Sequence, residues 1–245
     1  DVVLLHGLHA AASSREFRGI FGSLAARHHV VAPDLLGFGT SDRPAIRYTG
    51  ALYESFLRDF LRDEVESPVV IASSLTASFA AVVAGDVPGT TLLLVNPTDE
   101  TGTRNRLARE LLRAPVVGQG LFNLLVSKPA LRYFDRELAY YDTEAVTDDA
   151  VDYQYRTAHQ PNARFAPASF VGGYLEPSAP LEESIAEFDG PVTLIWGRES
   201  RRPTLATGRS LADSTGAKLV VVDRTKLLPH DEHPDAFIDA VADAL

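Results

Sequence analysis

The sequence predicts an α/β fold, in which a mostly parallel central sheet is covered by helices on both faces. Short apolar runs such as Val2–Leu5, Thr91–Val95 and Val192–Gly197 alternate along the chain with longer amphipathic segments. Strands that alternate with helices favour parallel pairing, because a crossover helix returns the chain to the edge where the next strand begins. The 245 residues, 45% of them hydrophobic, are enough for one such domain with an insertion.

Each element is predicted from the spacing of its apolar residues. The predicted strands are continuous apolar runs at Val2–Leu5, Val30–Ala32, Val69–Ala72, Thr91–Val95, Val192–Gly197 and Lys218–Val222. The predicted helices are Ser13–Arg27, Tyr48–Glu66, Leu75–Ala84 and Pro234–Leu245. In the second helix, Leu52, Phe56 and Phe60 recur at helical spacing among charged residues. Pro234 suits the first turn of the last helix, where a missing N–H costs nothing.

The strand signals stop between about residues 103 and 185. Helical segments rich in Arg, Leu and Tyr take their place, including Arg104–Leu112 and Leu131–Tyr141. We therefore expect a core made of residues 1–102 and 186–245, interrupted by a helical insertion over 103–185.

Composition excludes several classes of function. A net charge of −10 argues against nucleic acid as a partner, because phosphate binding needs basic patches. The chain has no cysteine, no histidine–carboxylate spacing typical of a metal site and no dinucleotide fingerprint, so we expect neither a metal nor a cofactor. No apolar run approaches the ~20 residues of a membrane span, and no signal peptide is visible, which predicts a cytoplasmic protein.

Five motifs stand at the ends of predicted strands. They are His6-Gly7-Leu8-His9, the loop from Pro33 to Asp42 with Gly37-Phe38-Gly39, the Ser73-Ser74 turn, Trp196-Gly197, and Leu228-Pro229-His230-Asp231-Glu232-His233-Pro234. In this order they resemble the α/β-hydrolase superfamily over nearly the whole chain outside 103–185. The resemblance implies that the insertion is a cap over the active site. It also implies that the family's first two strands are missing ahead of Asp1.

The resemblance places Ser74 at the nucleophile position. A nucleophile elbow of the G-x-S-x-G type needs small residues two positions before and after the serine, because the backbone there is crowded. Ala72 meets this requirement, whereas Thr76 is bulkier and β-branched. The backbone N–H groups of Leu8 and Leu75 would form the oxyanion hole, and His6 would order the loop. The alternative is that Ser74 merely caps the next helix.

The acid and base positions are overwritten. Ser200 stands where the family has an aspartate after the strand that ends in Trp196-Gly197, and Leu227 stands where it has the catalytic histidine. A hydroxyl cannot stabilise an imidazolium as a carboxylate does, and leucine cannot accept a proton. We expect both residues at the floor of the pocket, near Ser74.

Substitutes for the lost residues are available in nearby loops. The base would come from His230, His9 or His159. The side chains available in place of the acid are Asn96, Asp99, Glu100 and Glu199. The alternative is that all of them are ordinary polar residues of loops.

Two functions remain open. The first is a pseudo-hydrolase that binds a small, largely apolar molecule in a pocket floored by Leu227 and lined by residues such as His9, Phe38 and His159. The second is an active serine hydrolase, similar to an esterase or lactonase, that uses Ser74 with a non-standard base. A third arrangement, in which the cap collapses onto Ser74 and leaves no cavity, would favour a scaffold role.

Overall fold

A computed structural model describes all 245 residues and contains one sheet of six strands in the order β2-β1-β3-β4-β5-β6, every neighbouring pair parallel. The strands are β1 (Val2–Leu5), β2 (Val30–Val31), β3 (Val69–Ser73), β4 (Thr91–Val95), β5 (Val192–Gly197) and β6 (Lys218–Val222). The predicted α/β fold with a mostly parallel central sheet is confirmed.

Helices cover both faces of the sheet. They are α1 (Arg18–Ala25), α2 (Gly50–Glu64), α3 (Ser74–Ala84), α9 (Leu181–Ala186), α10 (Leu205–Thr215), α11 (Pro229–Glu232) and α12 (Pro234–Val241). Side chains alternate along each strand, so Val70 and Ala72 of β3 pack in a core with α2 and α3. Ile71, on the opposite side of the same strand, packs in a second core with α1 and α12. Burial on both faces explains why the strands read as continuous apolar runs.

Residues 103–185, between β4 and β5, contain helices and no strand. Five helices lie there ahead of α9, namely α4 (Arg106–Arg113), α5 (Val117–Leu125), α6 (Lys128–Phe134), α7 (Asp148–Ala158) and α8 (Phe165–Val171). This helical insertion has a small core of its own, which includes Phe122, Leu131 and Val151 and also takes in Ala11 from the loop after β1.

Local sequence signals set several helix starts. The side chains of Thr49, Asn105, Thr147 and Thr204 each accept a hydrogen bond from a backbone N–H in the first turn of the helix that follows. Such caps satisfy donors that would otherwise have no partner. None of the helices is both long enough and apolar enough to cross a membrane.

Two predicted helices differ from the observed ones. The segment predicted as Ser13–Arg27 begins with a 3-10 turn, Ser14–Phe17, and α1 follows it. The segment predicted as Leu131–Tyr141 is α6 followed by a π-helical turn, Asp135–Ala139. The carbonyls of Arg136 and Glu137 in that turn accept hydrogen bonds from the Lys226 ammonium, a long-range contact that helical periodicity cannot reveal.

Candidate functional site

Ser74 lies at a sharp turn between β3 and α3. Its φ of +55° is in the left-handed region, which costs a residue other than glycine about 1–3 kcal/mol. The turn brings Ser74 against the loop after β1, because Leu5 pairs with Ala72 in the sheet. A Cβ added at Gly7 would lie 3.2 Å from the Ser74 Cβ, so glycine suits this close approach.

Thr76, the residue that departs from the elbow motif, has a role in the turn. Its buried hydroxyl donates a 2.7 Å hydrogen bond to the carbonyl of His6. This bond joins the start of α3 to the loop after β1. The larger side chain is therefore accommodated by a partner that glycine or alanine could not use.

His6 orders the loop after β1, which carries Leu8. Its Nε2 accepts a hydrogen bond from the Leu35 N–H at 3.0 Å, and its Nδ1 lies 2.7 Å from the Gly7 carbonyl, to which it donates. The Gly7 N–H in turn donates to Glu16 Oε2 at 3.1 Å. Leu8 follows this braced glycine. Leu75 is in the first turn of α3, where backbone N–H groups have no partner within the helix.

A cavity of about 440 Å³ lies beside Ser74, between the carboxyl edge of the sheet and the helical insertion. Its core-side lining includes Leu8, His9, Ser74, Leu75 and Leu227, and its insertion-side lining includes Phe134, Asp135, Leu138 and Tyr140. The volume falls in the range typical of small-molecule sites. The helices above Ser74 are thus not collapsed onto it.

Leu227 lines this cavity together with Ser74, as expected from the sequence. Its backbone is held on both sides. The Leu227 N–H donates to the Ala139 carbonyl at 3.0 Å, and its own carbonyl accepts from Asn96 Nδ2 at 3.0 Å. An aliphatic side chain, fixed between the core and the insertion, therefore lines the cavity at this position.

Ser200 does not lie at the cavity floor, which corrects the expectation for the acid position. The residue is buried, and its hydroxyl donates a 2.7 Å hydrogen bond to the Pro203 carbonyl within its own loop. That bond satisfies the side chain away from the cavity. Arg202 and Pro203 of the same loop line the cavity instead.

Lys226, beside Leu227, fastens the insertion to the core. Its buried ammonium donates to the carbonyls of Arg136 at 2.8 Å and Glu137 at 3.1 Å. Glu232 lies at the same junction and accepts N–H bonds from Lys226 at 2.8 Å and from Tyr141 at 2.6 Å. Burial raises the pKa of Glu232 in spite of these bonds.

His9 is the histidine that lines the cavity. Its ring stacks on Phe134 at a centroid distance of 5.5 Å, and Nδ1 accepts from the Ala11 N–H at 3.3 Å. Burial lowers the pKa of His9 to about 4, so the ring is neutral at pH 7. Because Nδ1 accepts, the neutral ring carries its proton on Nε2, which makes that nitrogen a donor and not a base.

His159 and Phe38 do not line the cavity, contrary to expectation. The ring of His159 packs on Tyr155 with centroids 3.9 Å apart, and its Nδ1 lies 2.7 Å from the Tyr155 carbonyl at the end of α7. Phe38 is buried beneath the loop after β1, edge-on to His6 and beside Tyr53. His159 therefore packs within the insertion, and Phe38 packs within the core.

His230 is fully buried and does not reach the cavity. Its ring stacks on Phe17 and meets Phe237 edge-on, and its Nε2 lies 3.4 Å from Glu16 Oε1. Burial alone would raise the pKa of Glu16, but interactions with the nearby imidazoles, His230 foremost, hold it below its usual value. His230 therefore belongs to the support of the loop after β1.

The side chains available in place of the acid are mostly engaged in structure. Asp99 accepts the N–H of Leu181 at 3.1 Å, and Glu199 accepts the N–H of Thr225 at 3.0 Å. Glu100 is exposed at the cavity margin. No side-chain hydrogen bond joins any of the three to a histidine.

Asn96, which follows β4, is also structural. It is buried with a φ of +41°, and its Oδ1 accepts the Gly197 N–H at 3.2 Å while Nδ2 donates to the carbonyls of Lys226 and Leu227. The side-chain amide of Asn96 therefore joins β4 to β5 and to the loop that contains Lys226 and Leu227.

A polar cluster at the insertion side of the cavity was missed from the sequence. Tyr140 donates to Asp231 at 2.6 Å, Arg18 pairs with the same carboxylate at 3.1 Å, and Gln154 donates to Asp135 at 3.1 Å. Burial raises the pKa of Asp135 to about 6, although the Gln154 bond and the Arg18 charge oppose the rise. These residues come from four distant segments, and no sequence pattern links them.

Comparison with known sequences agrees with this architecture. The profile described as "Alpha/beta hydrolase family" matches residues 2–240. An uncharacterized protein of Mycobacterium tuberculosis (strain ATCC 25618 / H37Rv) is 27% identical over 254 residues, which cover 98% of this chain and 73% of that protein. A 2-hydroxy-6-oxo-6-(2'-aminophenyl)hexa-2,4-dienoic acid hydrolase of Metapseudomonas resinovorans is 39% identical over 62 residues, 25% of this chain and 21% of the relative.

Solved structures share the fold at low sequence identity. An alpha/beta hydrolase fold protein from Burkholderia ambifaria is 26% identical with a TM-score of 0.74, over 99% of this chain and 89% of that one. A 2-hydroxy-6-oxo-6-phenylhexa-2,4-dienoate hydrolase from Rhodococcus sp. strain RHA1 is 21% identical with a TM-score of 0.77, over the same shares of the two chains.

Proposed function

Because the chain belongs to the alpha/beta hydrolase family, we propose that it is a non-hydrolysing member that binds a small, largely apolar molecule beside Ser74. The observation that carries this proposal is Leu227, which lines the cavity where relatives need a proton acceptor. A serine hydroxyl without an activating base is a weak nucleophile, and losing triad members costs several orders of magnitude in rate.

The cavity defines the ligand's chemistry. Leu8, Leu75, Phe134 and Leu227 give it apolar walls. The N–H groups of Leu8 and Leu75 would receive a carbonyl or carboxylate oxygen, and His9 Nε2–H would donate to a second oxygen. The ligand we propose is therefore a hydrophobic molecule with a carbonyl or carboxylate group at one end.

The second candidate is an active serine hydrolase, favoured by one specific observation. Ser74 keeps the strained left-handed conformation of a nucleophile elbow and faces the cavity. Strain of this kind persists where the surrounding structure maintains it, often at functional sites. Relatives named as hydrolases of 2-hydroxy-6-oxo-hexa-2,4-dienoates suggest unsaturated keto acids as substrates for this alternative.

Two measurements on the same protein separate the candidates. A fluorophosphonate probe, which labels activated serines, should leave Ser74 unmodified, with an active α/β-hydrolase as positive control. Thermal-shift screening with hydrophobic esters, lactones, carboxylic acids and 2-hydroxy-6-oxo-6-phenylhexa-2,4-dienoate should give ligands that raise the melting temperature, because binding to the native state stabilises it.

Substitutions then place any ligand in the cavity. Leu227→Asp should abolish the thermal shift, whereas the same change at the exposed Leu107, outside the cavity, should retain it. Rapid fluorophosphonate labelling that Ser74→Ala removes would establish the hydrolase instead. The absence of any stabilising compound, together with unlabelled Ser74, would contradict both candidates.

A further inference from the structure

The insertion carries a continuous apolar surface that nothing in the chain covers. Leu107 is 78% exposed, Val116 83% and Leu124 70%. The remaining exposed apolar residues of helices α4 and α5 extend this surface. We define the α4–α5 face as Leu107, Leu111, Val116, Val117, Leu121, Leu124 and Leu125, all of them exposed. Single exposed apolar residues are ordinary, but seven clustered within 19 residues mark an interaction surface.

Helical spacing places these residues on one side of each helix. Leu107 and Leu111 of α4 are four residues apart, and in α5 Leu121, Leu124 and Leu125 follow Val117 by four, seven and eight. The opposite sides, marked by Leu112 and Phe122, are buried. Helices α4 and α5 pack against each other, and Val116 lies in the connection between them.

The charge around this face has the opposite sign to that of the whole chain. Residues 103–128 contain five basic side chains and one acid, Glu110, although the chain carries −10 in all. The basic residues are Arg104, Arg106, Arg109, Arg113 and Lys128. Arg109 is buried, Arg113 lies 3.8 Å from Glu110, and Arg104 and Lys128 pair with Glu176 and Asp152 at the margin of the face. Arg106, next to the exposed Leu107, is exposed and has no ion-pair partner.

We propose that the α4–α5 face docks on an anionic phospholipid surface. Its leucines and valines would enter the boundary between headgroups and acyl chains, while Arg106 and its basic neighbours would contact lipid phosphates and carboxylates. Apolar area combined with cationic side chains is what makes an amphipathic helical surface bind in the plane of a membrane interface. This proposal does not depend on the ligand in the cavity.

Charge favours a lipid over a second copy of the chain. A two-fold contact sets a patch against its own image, so the basic segments of two copies would face each other. Glu110 is the only acid in 103–128, and it already lies near Arg47 and Arg109. The acids at the margin, Glu176 and Asp152, are likewise paired within the chain, so an anionic lipid surface supplies the negative charge that a second copy does not offer.

Vesicle co-sedimentation of the full chain tests the proposal. The protein should pellet with vesicles of equimolar phosphatidylcholine and phosphatidylserine and much less with phosphatidylcholine alone, and salt should weaken the binding. Leu107→Glu with Leu124→Glu should reduce the partition coefficient by at least about tenfold, because the two leucines would no longer be buried in the membrane interface. Phe21→Glu, the same change at an exposed apolar residue outside the face, should leave it unchanged.

A second pair of variants tests the electrostatic contribution to vesicle binding. Arg106→Glu should weaken binding several-fold, whereas Arg209→Glu, at an exposed arginine of α10 without an ion pair, should have less effect. All substituted residues are exposed, and unchanged melting temperatures establish that the variants are folded. Failure to bind the anionic vesicles, or binding that the face variants leave intact, overturns the proposal. A dimer in solution that the two glutamates dissociate, without vesicle binding, assigns the face to a second copy.

Discussion

At the scale of single residues, the proposed function depends on Leu227. The side chain shares a cavity with Ser74, while the acid position, Ser200, is tied to Pro203 outside it. An imidazole at 227 would therefore face the serine directly, and a carboxylate at 200 would first have to give up the loop bond. We therefore expect a substitution at Leu227 to affect the cavity more directly than one at Ser200.

Restoring both positions should produce measurable esterase activity. We expect Leu227→His with Ser200→Asp to hydrolyse p-nitrophenyl acetate at least about 10²-fold faster than the wild type, the low end of what a positioned base contributes. Each single change should do less, since triad members act as a unit. Adding Ser74→Ala must remove the gain. A brisk wild-type rate that depends on Ser74 would contradict the broken-triad interpretation.

Asp135 destabilises the protein when it is ionised. Its pKa is about 6 in the folded state against an ordinary 3.8, so its contribution to stability is full below pH 3.8 and is lost as the pH rises to 6. Asp135→Asn should therefore raise the free energy of unfolding at pH 8 by up to about 3 kcal/mol, and have little effect at pH 3.5. Urea denaturation at both pH values measures this.

The exposed acid Asp213 serves as the control for Asp135. Asp213→Asn, in α10, should change stability by no more than about 0.5 kcal/mol at either pH, as is usual for surface positions. An Asp135→Asn variant that is less stable than the wild type at pH 8 would show that the carboxylate's bond from Gln154 outweighs the cost of burying its charge.

At the scale of elements, the loop at 226–232 fastens the insertion to the core. Lys226 and Leu227 together bind three carbonyls of the Asp135–Ala139 turn. Leu227 thus lies in a loop whose other residues hold the insertion against the core.

Removing the anchor should loosen the insertion selectively. Lys226→Met keeps the aliphatic stem but loses two charged hydrogen bonds, which should cost about 2–3 kcal/mol of stability. Hydrogen exchange should rise in residues 135–142 and stay unchanged in β3 and β4. Lys218→Met, at the exposed start of β6, is the matched control and should do neither. Uniform loss of protection across the sheet would contradict a local role.

The order of elements was predictable from the sequence because the strands are mostly apolar runs and recognisable motifs follow most of them. The lining of the cavity was only partly predictable. Sequence position brings Leu8, Leu75 and Leu227 to the sheet edge, but it does not show which way Phe38 or His159 turns, since that depends on packing partners such as Tyr53 and Tyr155. The Asp135 cluster was invisible for the same reason.

At the scale of the whole molecule, the cavity lies between the sheet and the helical insertion. We expect these two parts to differ in stability. Apolar clusters cover both faces of the sheet, and the larger one takes in Phe165, Ala166 and Leu175 of the insertion. Helices α5, α6 and α7 instead pack in a cluster of their own, next to the loop at 226–232. Segments with fewer buried apolar contacts open at lower free energy. We therefore expect α5, α6 and α7 to open more readily than the sheet and to admit a ligand.

Native-state hydrogen exchange should reveal this difference and its response to binding. Amides of β3, β4 and β5 should exchange only through global unfolding, while those of α5, α6 and α7 should exchange through a partial opening of lower free energy. A cavity ligand should slow exchange in the insertion by a factor that grows with its concentration, because it binds the closed state. Lys226→Met should speed that opening in the absence of ligand, and Lys218→Met should not. Equal exchange free energies in sheet and insertion would mean that the molecule opens as one unit and that ligand entry requires another route.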